Sequence, residues 1–401
     1  MPGIRVFDRV LAAKKQYVAG THRARSPAAT LSAMRALMPQ LGITRLANLT
    51  GLDCLGVPVF AAMRPNGRSL STSQGKGLDE DAAAASALME SIETWHAEHL
   101  NLPVRRGAPR ALSKRLTLVD VRRLPRASRR RLDLGAPLDW VEGWDLLRQG
   151  PVWVPLEAVT LDCVVERDHQ PTFDVSSNGL ASGNHLLEAI AHGLSEVIER
   201  DAEAEWRATQ GQRRVALDTI RDSACRQLIA RVNAAGVHVT VWDITSDVGV
   251  PAYGAAFMED PREPAWRSLG MYQGFGCHLS AEVALLRALT EAAQTRLTYI
   301  AGSRDDFFPA DYAKATDPEI LLPIWEDLTE PAPGLVEWVD FRKAPRLDGE
   351  TFEDDVATLL ARAGAAGATS VIAVDLSRAE LGVPVVKILV PGRATRVELM
   401  G

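Results

Sequence analysis

Three stretches decide how this chain reads: Ser86-Ala-Leu-Met-Glu90-Ser-Ile-Glu93, His192-Gly-Leu-Ser-Glu196-Val-Ile-Glu199 and Arg287-Ala-Leu-Thr-Glu291-Ala-Ala-Gln294. Each runs polar, small, Leu, any, Glu, any, any, Glu or Gln. At about 100° per residue on a helix, Ser86, Glu90 and Glu93 share one narrow face, and Leu88, Ile92, Trp95 and His99 form the opposite stripe. In the second stretch Glu188, His192, Glu196, Glu199 and Glu203 lie on one side, against Leu187, Ile190, Leu194, Val197 and Ile198. Arg287, Glu291 and Gln294 share a face in the third. A single E-x-x-E on an amphipathic helix is ordinarily a solvated face. Three copies ask for more, because stacked glutamates repel unless a cation or a basic partner joins them. The copies lie about 100 residues apart, too far for a solenoid unit, and fit three related lobes of one fold. Carboxylates brought from several helices to one cavity suit hard cations, and magnesium in such a place usually accompanies phosphates.

Glycine-containing polar segments precede each helix: Ser71 to Gly77, Ser176 to Gly183 and Gln273 to His278. They read as loops whose backbone N–H groups suit anions. Alternating apolar runs predict strands at Val57–Met63, Val237–Ile244, Ala252–Met258, Ser370–Asp375 and Val385–Val390. Helical spacing predicts helices at Asp79–Leu100, Asn184–Thr209, Ser280–Ile300 and Glu353–Ala363. Strands and helices do not alternate regularly, which favours an α+β fold over a doubly wound sheet. The chain is read as one domain over 1–401. Segments 132–155, 259–265 and 330–345 are expected to connect its lobes.

Composition narrows the class. The 401 residues are 46% apolar and 24% charged, as in an ordinary globular protein, and no run of eighteen apolar residues or signal-type h-region occurs. A membrane protein is not expected. Four widely separated cysteines (Cys54, Cys163, Cys225, Cys277) form no C-x-x-C, which argues against a structural zinc site and fits a reducing cytoplasm. The net charge of −6 conceals a basic run, Arg105 to Arg131, with eleven Lys/Arg against the single Asp120. It contains no aromatic residue for base stacking, so it reads as a solvated face or a dock for an acidic partner and not as a nucleic-acid site.

Sharper motifs fail on their spacing. Gly75-Lys76-Gly77 lacks the Ser/Thr and the first glycine of a phosphate-binding P-loop. His96-Ala-Glu-His99 matches neither zinc-peptidase order, and the deaminase pattern lacks its P-C-x-x-C. His99 belongs to the apolar stripe and reads as a packed histidine. No G-x-G-x-x-G or G-x-S-x-G occurs, and adjacent Cys277 and His278 tend to point apart, against a nucleophilic dyad.

Together the blocks SQGKGLDEDAAAASALMESIETWHAE (Ser73–Glu98), SSNGLASGNHLLEAIAHGLSEVIERDA (Ser176–Ala202) and LLRALTEAAQTR (Leu285–Arg296) resemble the YcaO superfamily. KQYVAGTHRARSP (Lys15–Pro27) and GITRLANLTGLDCLGVPV (Gly42–Val59) resemble more narrowly the YcaO proteins that work beside a TfuA-type partner. The resemblance implies use of ATP and Mg2+ to phosphorylate a peptide backbone amide oxygen after nucleophilic attack, giving azolines, thioamides or amidines. The TfuA-associated branch is linked to thioamides. The resemblance makes Glu90, Glu93, Glu188, Glu196, Glu199 and Glu291 metal ligands. It gives Ser86, Asn184, Arg200, Arg287, Gln294 and Arg296 to the nucleotide, although Arg296 lies off the polar stripe. Lys15 and Arg23 match basic N-terminal residues that close over the nucleotide, so 1–60 is the closing segment and 61–401 the core. Glu199, Arg200 and Arg287 take the catalytic roles.

Phosphorylation answers a chemical need: an amide oxygen is a poor leaving group until it becomes phosphate. Magnesium and a bidentate arginine offset charge on the transferred group. Family members that cyclise Cys, Ser or Thr commonly end in alternating prolines, whereas the last ten residues here contain none. This favours a thioamide synthetase over an azoline-forming cyclodehydratase. A nucleotide-binding regulatory protein without catalysis is the third reading, and loss of the glutamates, its expected signature, is absent. The expected associations are a peptide or protein substrate, a TfuA-like sulfur-delivering partner, a separate leader-peptide-binding protein and a homodimer. The basic run is a candidate dock for such a partner.

Overall fold

Capping residues place the three glutamate helices where their sequences predict. Asp79 accepts from Ala82 N at 2.8 Å, His185 Nδ1 from Leu187 N at 3.2 Å and Ser280 Oγ from Val283 N at 3.4 Å, each satisfying an N–H with no intrahelical partner. The computed structural model describes residues 3–127, 132–164, 171–263 and 269–393. Its strands are β1 (Ile4–Val6), β2 (Arg9–Leu11), β3 (Arg45–Asn48), β4 (Val59–Met63), β5 (Thr72–Lys76), β6 (Arg105–Gly107), β7 (Leu138–Asp145) and β8 (Gly150–Pro155). They continue with β9 (Leu180–Ser182), β10 (Arg213–Val215), β11 (His238–Asp243), β12 (Ala252–Met258), β13 (Met271–Cys277), β14 (Glu337–Val339), β15 (Ile372–Asp375) and β16 (Val385–Leu389). The helices are α1 (Pro27–Arg35), α2 (Glu80–Glu98), α3 (Pro109–Leu112), α4 (Leu186–Thr209), α5 (Ser223–Ala234), α6 (Ala281–Ala301), α7 (Pro309–Ala315), α8 (Pro318–Thr329) and α9 (Phe352–Ala365).

Strand pairing is antiparallel apart from β10 with β14. One sheet runs β3-β4-β5, a second β6-β7-β15-β16-β9 with β8 beside β7, and a third β13-β12-β11-β10-β14. Helix α2 lies on β4 and β5, α4 on β16 and β9, and α6 on β12 and β13. The result is a mixed α/β architecture. Buried Leu88 and Ile92 of α2, Leu187, Ile190, Leu194, Val197 and Ile198 of α4, and Leu285 and Leu289 of α6 supply the apolar stripes that hold the helices on their sheets. His99 is packed, its ring stacked on Trp95 with centroids 4.6 Å apart.

Two expectations change. Two of the three glycine segments are largely strand and not loop: Ser71–Gly77 contains β5 and Gln273–His278 contains most of β13, whereas Ser176–Gly183 is strand only in β9. The glycines let a helix backbone approach the sheet. A Cβ at Gly75 would sit 1.9 Å from Ala87 N on α2, and one at Gly274 would sit 2.2 Å from Ala292 N on α6. Segment 132–155 is likewise no linker, because β7 and β8 pair from Trp140↔Pro155 to Asp145↔Gly150. Within 330–345, β14 joins the third sheet. Segment 259–265 follows β12 and precedes β13, which pair in the third sheet, so as far as residue 263 it leads between two strands of one sheet and not between lobes; the rest lies outside the described residues. So do the last four residues of the basic run and the chain from 394 onward.

Candidate functional site

A cavity of about 620 Å3 lies between the polar faces of α2, α4 and α6 and is walled on one side by residues of the 17–30 segment. From α2 it receives Ser86, Glu90 and Glu93, and from α6 Arg287, Glu291 and Gln294. Asn184, just before α4, and Glu188, Glu196, Glu199 and Arg200 of that helix complete the set with Arg23. Neighbouring elements fix the carboxylates. Glu93 Oε1 accepts from Ser182 N at 2.8 Å and Ser182 Oγ at 2.7 Å. Glu199 Oε2 accepts from Cys277 N at 2.7 Å, tying α4 to β13. Glu291 takes Lys76 Nζ at 2.5 Å and Phe275 N at 3.3 Å. Gln294 Nε2 donates to Gln74 O at 3.2 Å.

Enclosure dominates the electrostatics. Burial pushes Glu90 up to about 7 against Lys76, Glu93 up to about 8 against its Ser182 bonds, and Glu196 up to about 7 against Arg200. Glu199 is also raised by burial, against the pull of Arg287. Glu291 moves the other way, because Lys76 and Arg200 outweigh its burial. Glu90, Glu93 and Glu196 therefore hold protons near neutrality that a cation would expel. Loading Mg·AMPPCP near pH 7 should release protons and tighten as pH rises through 6 to 8. Calorimetry in buffers of different ionisation heat measures this, and the absence of release would mean the carboxylates do not meet the ion. In the unliganded protein the sign reverses: above about pH 4.5 the unfolded carboxylates ionise before the folded ones, so these three groups make stability fall with rising pH up to about 8.

Two sequence-predicted residues lie elsewhere. Lys15 Nζ pairs with Asp355 of α9 at 2.7 Å, with both side chains under 5% exposed, and donates to Gly349 O; it ties the N-terminal segment to α9. Arg296 Nε pairs with Asp53 and its Nη2 with Glu259, each at 2.9 Å, and its side chain is 1% exposed. Five residues beyond Glu291, its Cα is turned by about 140° from the glutamate's face, which takes the side chain off the cavity. Glu188 lines the cavity but is committed to the N-terminal segment, accepting from Ala24 N at 3.0 Å and Arg23 Nη1 at 3.4 Å. Asn184 likewise accepts from Thr30 Oγ1 at 3.0 Å.

Sequence reasoning missed Lys76 and Arg304 as cavity residues. Lys76 carried a signal, a lone lysine between two glycines ahead of a glutamate helix, although the surrounding pattern is not a P-loop. Arg304 lies in an aperiodic loop and carried none. The Cys277–His278 pair fails as a nucleophile: burial pushes the thiol up and the imidazole down, and His278 Nδ1 accepts from Ser280 N at 2.9 Å.

Among the described residues no three His, Cys, Asp or Glu side chains converge to hold an ion unaided. The six-glutamate ligand set is thus not a closed cage, and Glu188 and Glu291 already have cationic partners. The donors still fit magnesium, which keeps one or two carboxylates and completes its octahedron with water and phosphate oxygens. Arg287 Nε, buried and without a hydrogen-bond partner, adds an unspent donor to the cavity wall.

A helix-walled cavity combining carboxylates with guanidinium groups defines a class of site, one for anions held together with hard cations. Known structures share the fold around it. YcaO from Methanopyrus kandleri bound with AMPPCP and Mg2+ has a TM-score of 0.76 and 27% identity, over 95% of this chain and 94% of its own. A heterocyclase in complex with substrate and cofactor has a TM-score of 0.80 at 23% identity over 98% of this chain, which spans 55% of that longer protein. A protein in the tfuA 3′ region of Rhizobium leguminosarum bv. trifolii is 36% identical over 92% of this chain and 88% of its own length. The family profile described as YcaO cyclodehydratase, ATP- and Mg2+-binding, matches residues 74–394. The chain belongs to the YcaO family.

Proposed function

We propose that this protein activates peptide backbone amides with ATP and Mg2+, and that it makes thioamides with sulfur delivered by a TfuA-like partner. The observation that carries the activation is the single cavity in which Glu90, Glu93, Glu196 and Glu199 face Arg200 and Arg287. The sulfur assignment draws support from the relative in the tfuA 3′ region. Four free cysteines, two buried and two exposed, suit the reducing cytoplasm in which such a pair would work.

Bound ATP and magnesium would supply the phosphoryl group and the countercharge for its transfer. The chain's own work is placement. Glu90, Glu93, Glu196 and Glu199 would hold the metal ions, one or two carboxylates to each, with Glu199 aimed by Cys277 N and Glu93 by Ser182. Arg200, anchored on Glu203 at 3.0 Å, and Arg287 present guanidinium groups to the phosphoryl oxygens as the amide oxygen becomes a leaving group. The three helix-and-sheet units are the three lobes of the repeat. The 17–30 segment, pinned by Glu188 and Asn184, covers the nucleotide through Arg23. Peptide recognition is delegated to a partner or a leader-binding protein, with the described part of the basic run as dock, and the enzyme works as a homodimer.

The family's cyclodehydratase description keeps an azoline product in view. High-resolution mass measurement separates the two after incubating the peptide encoded nearby with this protein, Mg·ATP, sulfide and the TfuA-like neighbour. A gain equal to sulfur replacing oxygen is the expected result. Loss of one water would mean a side-chain nucleophile and an azoline, and an unchanged mass without ATP turnover would leave a regulatory protein.

A further inference from the structure

We propose that Arg304, carried by the loop 302–308 between α6 and α7, is a further contact for the phosphate groups of the bound nucleotide. The inference rests on the reading of the cavity as a nucleotide site and names a residue outside the three helices. Arg304 lines the cavity with Phe307, as do Glu90 and Glu93 of α2. Its charge acts on the Glu90 carboxylate together with that of Lys76.

The loop is held in place beside β5. Thr72 Oγ1 donates to Ser303 O at 3.0 Å, and Ser71 N to Asp305 Oδ2 at 3.2 Å, so both residues flanking Arg304 are pinned beside β5. Gly302, at φ +55, caps α6 and turns the chain into the loop. Phe307 packs on Tyr299 of α6 with ring centroids 4.5 Å apart, and the Arg304 guanidinium stands 5.5 Å from the Phe307 ring. The backbone that carries the arginine is therefore preorganised.

Its present partner is easily exchanged. Arg304 Nε bonds Asp306 Oδ1 at 2.7 Å and Nη2 reaches Oδ2, but Asp306 is only two residues away and 42% exposed. Solvent reaches the pair on the Asp306 side, so a more highly charged anion can compete for the guanidinium. Lys76 is bound to Glu291, Arg200 to buried Glu203 and Arg23 to buried Glu188. A phosphate brings more charge than one carboxylate and matches the guanidinium fork, so Arg304 can leave Asp306 for it at small cost.

Calorimetric titration of wild type, R304A, R304K and D306N with Mg·AMPPCP and with Mg·tripolyphosphate tests this. R304A should weaken both ligands by about 10- to 100-fold, the scale of losing a hydrogen-bonded charge contact, with R304K in between. D306N should bind both as tightly as wild type or tighter, and all variants should melt together. R304A within twofold of wild type would overturn the proposal. So would weakening of AMPPCP alone, which would put Arg304 on the nucleoside, or a D306N defect matching that of R304A, which would make the arginine a loop brace. Failure of wild type to bind either ligand would instead sink the nucleotide reading itself.

Discussion

Glu199→Gln should cut magnesium-dependent ATP turnover by about 10³-fold, the upper scale for removing one preorganised electrostatic group from a water-poor site. Glutamine is the informative substitution. Its carbonyl can still accept from Cys277 N, the bond that ties α4 to β13, so the α4–β13 contact survives. What is lost is the carboxylate on which the charges of Arg287 and Arg200 act and which a bound metal would take. Glu90→Gln, on a different helix and sheet, should fall by a similar factor, because its carboxylate reaches the same cavity from the α2 side. Phosphate release measured against magnesium concentration checks both, with the melting temperature as a control on folding. Turnover within tenfold of wild type in either variant would remove that residue from the metal set, and in both would break the site assignment.

The glutamate helices were legible because two independent signals agreed: the 3.6-residue period of their leucines and the recurrence of Glu at one angular position. Angular reasoning put Glu93 and Glu199 on the polar faces of their helices, and the recurrence of the pattern with the family resemblance brought those faces to one cavity, although the helices lie on different sheets. The same reasoning marked Arg296 as lying off the stripe, and geometry outweighs motif there: the arginine sits where its helical angle puts it. Two of the glycine segments were misread for a physical reason. Glycine is permissive in loops, but at Gly75 and Gly274 it serves a strand pressed against a helix backbone, and a single sequence does not distinguish the two uses. The hairpin β7–β8 was hidden by its prolines and charges, since Pro151 and Pro155 lie at its outer side where a missing N–H costs little. Lys15 was assigned to the nucleotide by resemblance. Its buried partner Asp355 lies more than three hundred residues away, beyond the reach of any local pattern.

Arg296→Met should lower the unfolding free energy by about 3–5 kcal/mol and leave nucleotide affinity within about twofold. Removing one partner of a buried ionic cluster is costly because it strands the others. Here the stranded groups are Asp53, 2% exposed, and Glu259, 14% exposed, which share the one guanidinium. Methionine fills much of the arginine's volume, so the loss reports the uncompensated charge more than a cavity. A triple variant, Arg296→Met with Asp53→Asn and Glu259→Gln, removes the charges together and should recover most of the stability, since exchanging a whole buried ionic cluster is often close to neutral. Denaturant unfolding of the single and triple variants, each followed by Mg·AMPPCP titration, separates the two roles. If Arg296 only braces the 50–55 turn and the end of β12 against α6, stability returns in the triple variant and affinity never changes. If it touched the nucleotide, the triple variant would be stable and still bind weakly, and Arg296 would have to be restored to the cavity wall.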